Sequence, residues 1–385
     1  MAAHAQACAS GSQILTKATT ETLSKTTRPA KRKTVERSSA PAKPSGLREI
    51  AEHLGLSLAS VSMVLNDVPL SHALTPETRA RVLAAAKKFN YRPNLVARSL
   101  STRESRTVGV IAADASDGYY TRVMRGIEEA LLEGGYLYFT VSHLLREDLI
   151  REYPLLLRQR AVDGLIFLST RVIEPPGIPA VTISYSASDP GVTGVIIDQQ
   201  LGTRLALQHL HDLGHKRVLL MKGESSCLES GERWRLLLEA AREFDMEVVP
   251  ELFLEIDHNQ VTPELAFKIV SEHLKSGVKF TGVCAFNDTS AIGAIRALAD
   301  FGLNCPRDVS VVGFDDIGVA GFYTPRLTTI RQPLEEMGRQ AVERLLARIR
   351  EPDQIHPAEV VLQPELVVRE STRALERTTS RRRNA

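Results

Sequence analysis

Two stretches of this sequence set titratable side chains close enough together to suggest catalysis or metal binding, and their spacing argues against both. In HLHDLGH, His209, His211 and His215 look like zinc ligands. His209 and His211, two apart, point to different helix faces, and Gly214 ends the helix before His215, so the geometry a zinc site requires is absent. Asp315 and Asp316 form a carboxylate pair, but they are adjacent, and nothing else in the chain places them across a scissile bond. Walker-type loop, G-x-S-x-G elbow and H-E-x-x-H helix are all missing. The chain therefore reads as a non-enzyme, with no cofactor and no metal. Cys8, Cys227, Cys284 and Cys305 form no C-x-x-C pair and read as reduced, incidental thiols.

Residues 46–67, GLREIAEHLGLSLASVSMVLND, point to chemistry with a polyanion. Ala51 is small where two helices would cross, Gly55 supplies the positive φ of a tight turn, and Val61 is an apolar plug between them. Leu54, Leu56 and Val64 complete a miniature core. Ser57 caps the second helix, whose N-terminal part would enter a major groove while the first helix crosses the phosphate backbone. Charge agrees: the net +2 of the 385-residue chain divides into about +10 over residues 1–106 and about −8 over the rest.

The elements that must carry these residues follow from periodicity. Residues 46–90 read as three short helices, the third opened by Thr75-Pro76-Glu77, a cap, a first-turn proline and an acid at the positive dipole end. From Thr107 the runs VGVIAA, LYFTVS, GLIFLS, AVTIS, RVLLM, GVCAFN and VSVVGF alternate with amphipathic stretches at 120–134, 199–213, 230–244, 288–302 and 333–350. Near-continuous apolar strands between helices mean parallel sheet, and the length fits two α/β lobes with a cleft. Ligands in such sheets sit beyond the carboxyl ends of the strands. Residues 1–44 read as a disordered basic arm and 371–385 as a disordered basic tail. No run of about 18 apolar residues indicates a membrane span, and no apolar core of an export signal precedes AQACAS.

LREIAEHLGLSLASVSMVLND, TPETRARVLAAAKKFNYRPNLVARSL and TVGVI, followed by DGLIF, LGHKRV, FNDTSAIGAIRAL, PRDVSVVGFDD and YTPRLTTIRQPLEEMG, resemble the LacI/GalR family of bacterial transcriptional repressors over about residues 46–370. The resemblance implies a helix-turn-helix headpiece at 45–93, a hinge helix and linker at 94–106, and a periplasmic-binding-protein-like two-lobed core with parallel sheets at 107–370. It also implies a cytoplasmic, nucleoid-associated homodimer on a pseudo-palindromic double-stranded DNA operator, controlled by a small effector, with a sugar the expected class. The competing reading is a solute-binding protein with a vestigial head.

By the same resemblance Ser57, Leu58, Ala59, Ser60, Ser62, Met63 and Asn66 face DNA. Relatives often carry an arginine where Met63 stands, and Leu, Ala and Met cannot make bidentate contacts to guanine or adenine, so the second helix is expected to read methyl groups and shape. PNLVARSL resembles the hinge helix, with Leu100 as the minor-groove wedge flanked by Asn94 and Arg98. The loop in NDVPLSHALTPETR is about three residues longer than in many relatives. In the cleft, Arg233, Asn287 and Asp315 match effector-binding positions and Tyr119 and Tyr120 an aromatic pair, a set suited to a polyhydroxylated ring. Asp198 is a third acceptor or a helix cap, Arg233 and Asp315 could equally form a structural ion pair, His258 aligns loosely with a pocket position, and Leu236 stands where relatives often have glycine.

Overall fold

The computed structural model describes residues 46–66, 69–92, 104–116, 118–187, 189–223, 228–256 and 262–375. The basic arm, the hinge residues Asn94, Arg98 and Leu100, and also His258, Cys8 and Cys227, lie outside them. The chain divides into two compact units between Arg92 and Pro93.

The first unit holds α1 (Leu47–Leu54), α2 (Leu58–Leu65) and α3 (Pro76–Lys88), with a short 3-10 turn at Pro69–Ala73. Gly55 takes φ 66°, closing α1 with its amide on Glu52 O, and Leu56 N then bonds Ala51 O at 3.0 Å. The Thr75 hydroxyl accepts from Thr78 N, with Pro76 at the first helical position. Ile50, Ala51, Val61, Val64, Val82 and Ala85 form the core, and Leu54, Leu56 and Phe89 pack around it. The connection from α2 to α3 contains the 3-10 turn, whose His72 Nδ1 lies 3.1 Å from Arg79 Nη1.

The second unit begins in sheet one: β1 (Thr107–Ala112), α4 (Gly118–Gly134), β2 (Leu137–Ser142), α5 (Glu147–Gln159), β3 (Gly164–Leu168), β4 (Ala180–Ile183) and β5 (Val192–Ile197). The chain then crosses to a second lobe, with α6 (Gln199–Asp212), β6 (Val218–Lys222), α7 (Leu228–Glu243), β7 (Phe253–Glu255), α8 (Pro263–Lys275), β8 (Gly282–Cys284), α9 (Asp288–Asp300), β9 (Ser310–Asp315) and β10 (Thr328–Arg331). It returns through α10 (Leu334–Arg350) and β11 (Glu359–Leu362) to the first sheet, and crosses once more to place β12 (Glu365–Val367) in the second. Sheet one runs β11-β5-β4-β3-β1-β2, every pair parallel; sheet two runs β12-β10-β9-β8-β6-β7, parallel except for β12 against β10. Three crossovers, at Asp198, at Gln332-Pro333 and at Gln363-Pro364, join the lobes.

Both faces of each sheet are covered except at the edge strands β2, β11 and β12, which explains the continuous apolar runs of the inner strands. Val218 and Leu220 pack with α6 and α7, while the alternate Leu219 and Met221 pack with α8 and α9. In the first lobe α4 and α10 cross so closely that a Cβ on Gly126 would lie 1.8 Å from Glu335 O, and one on Gly338 2.2 Å from Val123 O. Only glycine fits there.

The expected tail at 371–385 begins too early. Ser371 is fully buried: its Oγ donates to Val311 O at 2.6 Å and accepts from Thr328 N at 2.8 Å. His209 meets Thr372, and His215 Nδ1 and Nε2 lie 3.0 Å from Thr281 Oγ1 and Arg373 O. Two of the histidines in HLHDLGH therefore hold the terminal segment through Leu375, while His211 stacks on Phe244. Burial pushes the pKa of both His209 and His215 down.

Candidate functional site

At the head, α2 presents one face. Its Ser57 cap accepts from Ser60 N at 3.0 Å and lies 2.8 Å from Ser60 Oγ, and Asn66 Nδ2 donates to Ser62 Oγ at 3.1 Å. Leu58 is 49% exposed and Ala59 is exposed, whereas Val61 and Val64 point inward. Met63 is half-buried, with part of its side chain at the surface. Arg48, Arg79, Lys87 and Lys88 add positive charge around this unit, and Arg81 Nη2 donates to Leu54 O at the end of α1.

In the two-lobed unit the expected effector residues gather where strands end. Tyr119 follows β1, Asp198 follows β5, Arg233 lies on the helix after β6, Asn287 follows β8 and Asp315 ends β9. All lie on the carboxyl side of parallel strands, the edge at which such sheets take ligands. The lobes approach each other there: a Cβ on Gly118 would lie 3.3 Å from the Ile317 side chain.

Arg233 is 5% exposed. Its Nε donates to Gln199 Oε1 and its Nη1 to Phe286 O, each at 3.0 Å, and its guanidinium carbon lies 4.0 Å from the Phe314 ring centroid and 5.1 Å from that of Phe286. A guanidinium fixed on two edges and one face is pre-organised, so little side-chain entropy is lost when a ligand meets it. Asn287 caps α9, its Oδ1 accepting from Ser290 N at 2.8 Å and Ser290 Oγ at 2.6 Å. Asp315 Oδ1 accepts from Gln332 Nε2 at 2.6 Å, and Gln332 Oε1 is a buried acceptor with no partner among the described residues. Both aspartates of GFDD take positive φ, 112° at Asp315 and 56° at Asp316, and Arg331 and Arg369 grip the Asp316 carboxylate at 2.7 and 2.6 Å. Backbone held in such conformations concentrates at ligand sites.

Asp198 acts as a helix cap, its Oδ1 accepting from Leu201 N at 2.9 Å. Tyr119 hydrogen-bonds Ser184 beyond β4. Tyr120 departs from the expectation: it lines an open groove of about 440 Å³ with Met124, Arg125, Glu128, Tyr138 and Thr140 on the outer side of the β2 edge. Consecutive helix residues diverge by about 100°, which turns Tyr120 away from the direction of Tyr119. Leu236 is buried.

Five side chains near these strand ends were not singled out from sequence. Gln199, Phe286 and Phe314 hold Arg233. Asp288, fully buried, accepts from Ile317 N at 2.8 Å and Thr329 Oγ1 at 2.5 Å, tying α9 to the turn after β9 and to β10; burial raises its carboxyl pKa to about 7. A Cβ on Gly313 would lie 2.3 Å from Asp288 Oδ1, and Gly313 in VVGFDD was the readable signal that something approaches β9 there. On the first lobe His143, 1% exposed, accepts from Leu145 N through Nδ1, so its neutral ring carries hydrogen on Nε2, facing Thr170 Oγ1 at 2.9 Å. Burial lowers its pKa to about 4.

Residues 46–94 match the profile of bacterial regulatory proteins of the lacI family, and residues 207–372 that of the periplasmic binding protein-like domain. The HTH-type transcriptional repressor PurR of Haemophilus influenzae is 30% identical over 340 residues, covering 86% of this chain and 99% of its own. A crystal structure of the lac repressor dimer bound to operator and the anti-inducer ONPF superposes with TM-score 0.75 at 28% identity, over 86% of this chain and 100% of that one. A LacI family transcriptional regulator from Enterococcus faecium with bound ribose matches with TM-score 0.62 at 28% identity, over 70% of this chain and all of the other.

Proposed function

Because the chain belongs to the lacI family of bacterial regulatory proteins, whose members regulate transcription rather than catalyse reactions, we propose that it is a homodimeric repressor of a pseudo-palindromic operator, controlled by a sugar in the inter-lobe cleft. The observation that carries the reading is Arg233, buried at the carboxyl edge of the second sheet and fixed by Gln199, Phe286 and Phe314, with Asn287 and the Asp315–Gln332 pair on neighbouring strand ends of the same lobe. Planar charged donors, amides, carboxylates and flat rings suit the edges and faces of a polyhydroxylated ring. The relative with bound ribose supports that class.

The dimer is supported by an exposed apolar edge. In β2, Leu137 is 65% and Phe139 50% exposed, and Phe322 in the second lobe is 90% exposed. Surfaces of this kind on a monomer mark contact sites. Asn94, Arg98 and Leu100 are proposed to contact the operator, with Leu100 as the minor-groove wedge. The place of action is bacterial DNA in the cytoplasm; among the described residues no helix is long and apolar enough to cross a membrane.

Coupling requires that the sugar bind the operator-competent and the incompetent states with different affinity. The test is selection of the purified chain against random duplex DNA at fixed salt, repeated with a panel of sugars. An enriched pseudo-palindrome whose affinity changes with one sugar is expected. Salt-sensitive general binding alone, with and without every sugar, overturns the reading in favour of a solute-binding protein.

A further inference from the structure

The polar side chains of α2 are engaged with one another, Ser57 with Ser60 and Asn66 with Ser62. Nothing from Leu54 through Asn66 is charged. At about 100° per residue, Leu58, Ser62, Asn66, Ala59 and Met63 fill an arc of about 140° opposite the buried Val61 and Val64. The half of such a helix that enters a major groove is its N-terminal half. In that half the arc consists of Leu58 and the exposed Ala59, with Met63 one turn beyond Ala59 on the same side.

None of these three side chains donates or accepts a hydrogen bond with a base edge. The apolar feature that bases present in the major groove is the 5-methyl group of thymine. Resting on the operator-binding reading above, we propose that Leu58, Ala59 and Met63 form an apolar edge that reads pyrimidine 5-methyl groups, so that at the contacted positions the head treats 5-methylcytosine as it treats thymine. The two bases carry the same methyl group at the same place and differ at the neighbouring amino or keto group, which an alkyl side chain senses only weakly. Repressor occupancy then responds to cytosine methylation within the half-site.

The experiment uses the full chain and the operator enriched by selection. Each half-site thymine is replaced in turn by deoxyuridine, which removes the methyl and keeps the pairing edge, and then by cytosine or 5-methylcytosine opposite guanine. At contacted positions deoxyuridine weakens binding about fourfold per methyl, from the transfer free energy of one such group. There 5-methylcytosine binds closer to thymine, and cytosine closer to deoxyuridine. In Leu58→Ala, whose side chain is half exposed and outside the head's core, the deoxyuridine effect disappears at one position and persists at the others. An operator that is enriched yet indifferent to deoxyuridine at every position overturns the proposal and leaves operator binding standing, as does 5-methylcytosine behaving as cytosine. Failure to enrich any sequence removes both.

Discussion

Replacing Gly338 by alanine sets two effects of opposite sign against each other. Helix propensity alone favours alanine by about 1 kcal/mol in a helix interior. At the crossing of α4 and α10, however, the new Cβ would sit 2.2 Å from Val123 O and 2.8 Å from Ile127 N, where ordinary contact begins near 3.4 Å. Both obstacles are backbone, so relief requires the helix axes to separate by about 1 Å, loosening Val123, Ile127, Met337 and Ala341, which are fully buried. Overpacking against movable side chains costs about 1–3 kcal/mol, and a backbone obstacle belongs at the upper end. The balance is a net loss of about 2 kcal/mol. Urea unfolding followed by the fluorescence of Trp234, the single tryptophan, reports on this unit. With a slope near 3 kcal/mol/M, reasonable for a unit of this size, the midpoint falls by about 0.7 M. Gly231→Ala is the control: it lies in α7, meets nothing within 4 Å, and is expected to gain up to about 1 kcal/mol. A midpoint for Gly338→Ala equal to or above that of the parent chain refutes the close crossing.

Ending the chain after Glu370 removes both hydrogen bonds of the buried Ser371 hydroxyl, the Thr372 partner of His209 and the Arg373 carbonyl that faces His215 Nε2, and is expected to destabilise the core by about 3 kcal/mol or more; ending it after Leu375 leaves the urea midpoint unchanged. Arg233→Lys keeps the charge but loses the flat fork that spans Gln199 and Phe286 O and stacks on Phe314, so calorimetry is expected to show at least tenfold weaker binding of the sugar found in the panel, about 1.4 kcal/mol, while operator affinity without sugar persists. For pH, His143 is neutral in the fold down to about 4, whereas the unfolded chain takes up that proton from about 6.5 downward, so its contribution falls as pH drops through this window, by about 3 kcal/mol in all. Asp288 has the opposite sign: its folded pKa lies above the unfolded 3.8, so stability is lost as pH rises towards 7. The two offset each other in the parent chain, and the difference in pH slope between parent and His143→Gln isolates the histidine; identical slopes would refute its buried neutral state.

Much of this architecture is legible in the sequence where one element is long and one-sided. The helix-turn-helix is readable because Ala51, Gly55 and Val61 each answer a separate steric demand, and Ser57 and Thr75 cap as their types suggest. Strands β7, β11 and β12 lie at sheet edges and, like β10, interleave polar residues among three or four positions, so no apolar run marks them. β5 escaped as a separate strand because its end was taken up in reading Asp198. Helix α5 was hidden by Pro154 in its interior, a residue that ordinarily signals a break. At the cleft, the resemblance supplied Arg233, Asn287 and Asp315, but no pattern in a single sequence says that Gln199 and Phe286, far apart along the chain, hold the same guanidinium. Tyr120 lines the groove beside β2, a placement that adjacency to Tyr119 in the sequence does not reveal.

The triple crossover also sets a schedule for synthesis. Domains fold as units while the chain is being made, amino-terminal first. The head, complete by Lys88, is available early, but the first sheet lacks its edge strand until Leu362 is made, and the second its last strand until Val367, with Ser371 still to be inserted. Neither lobe can close before nearly the whole chain exists. A ribosome that stops anywhere between these points releases a polypeptide with a finished DNA-reading head and an unfinished sensor.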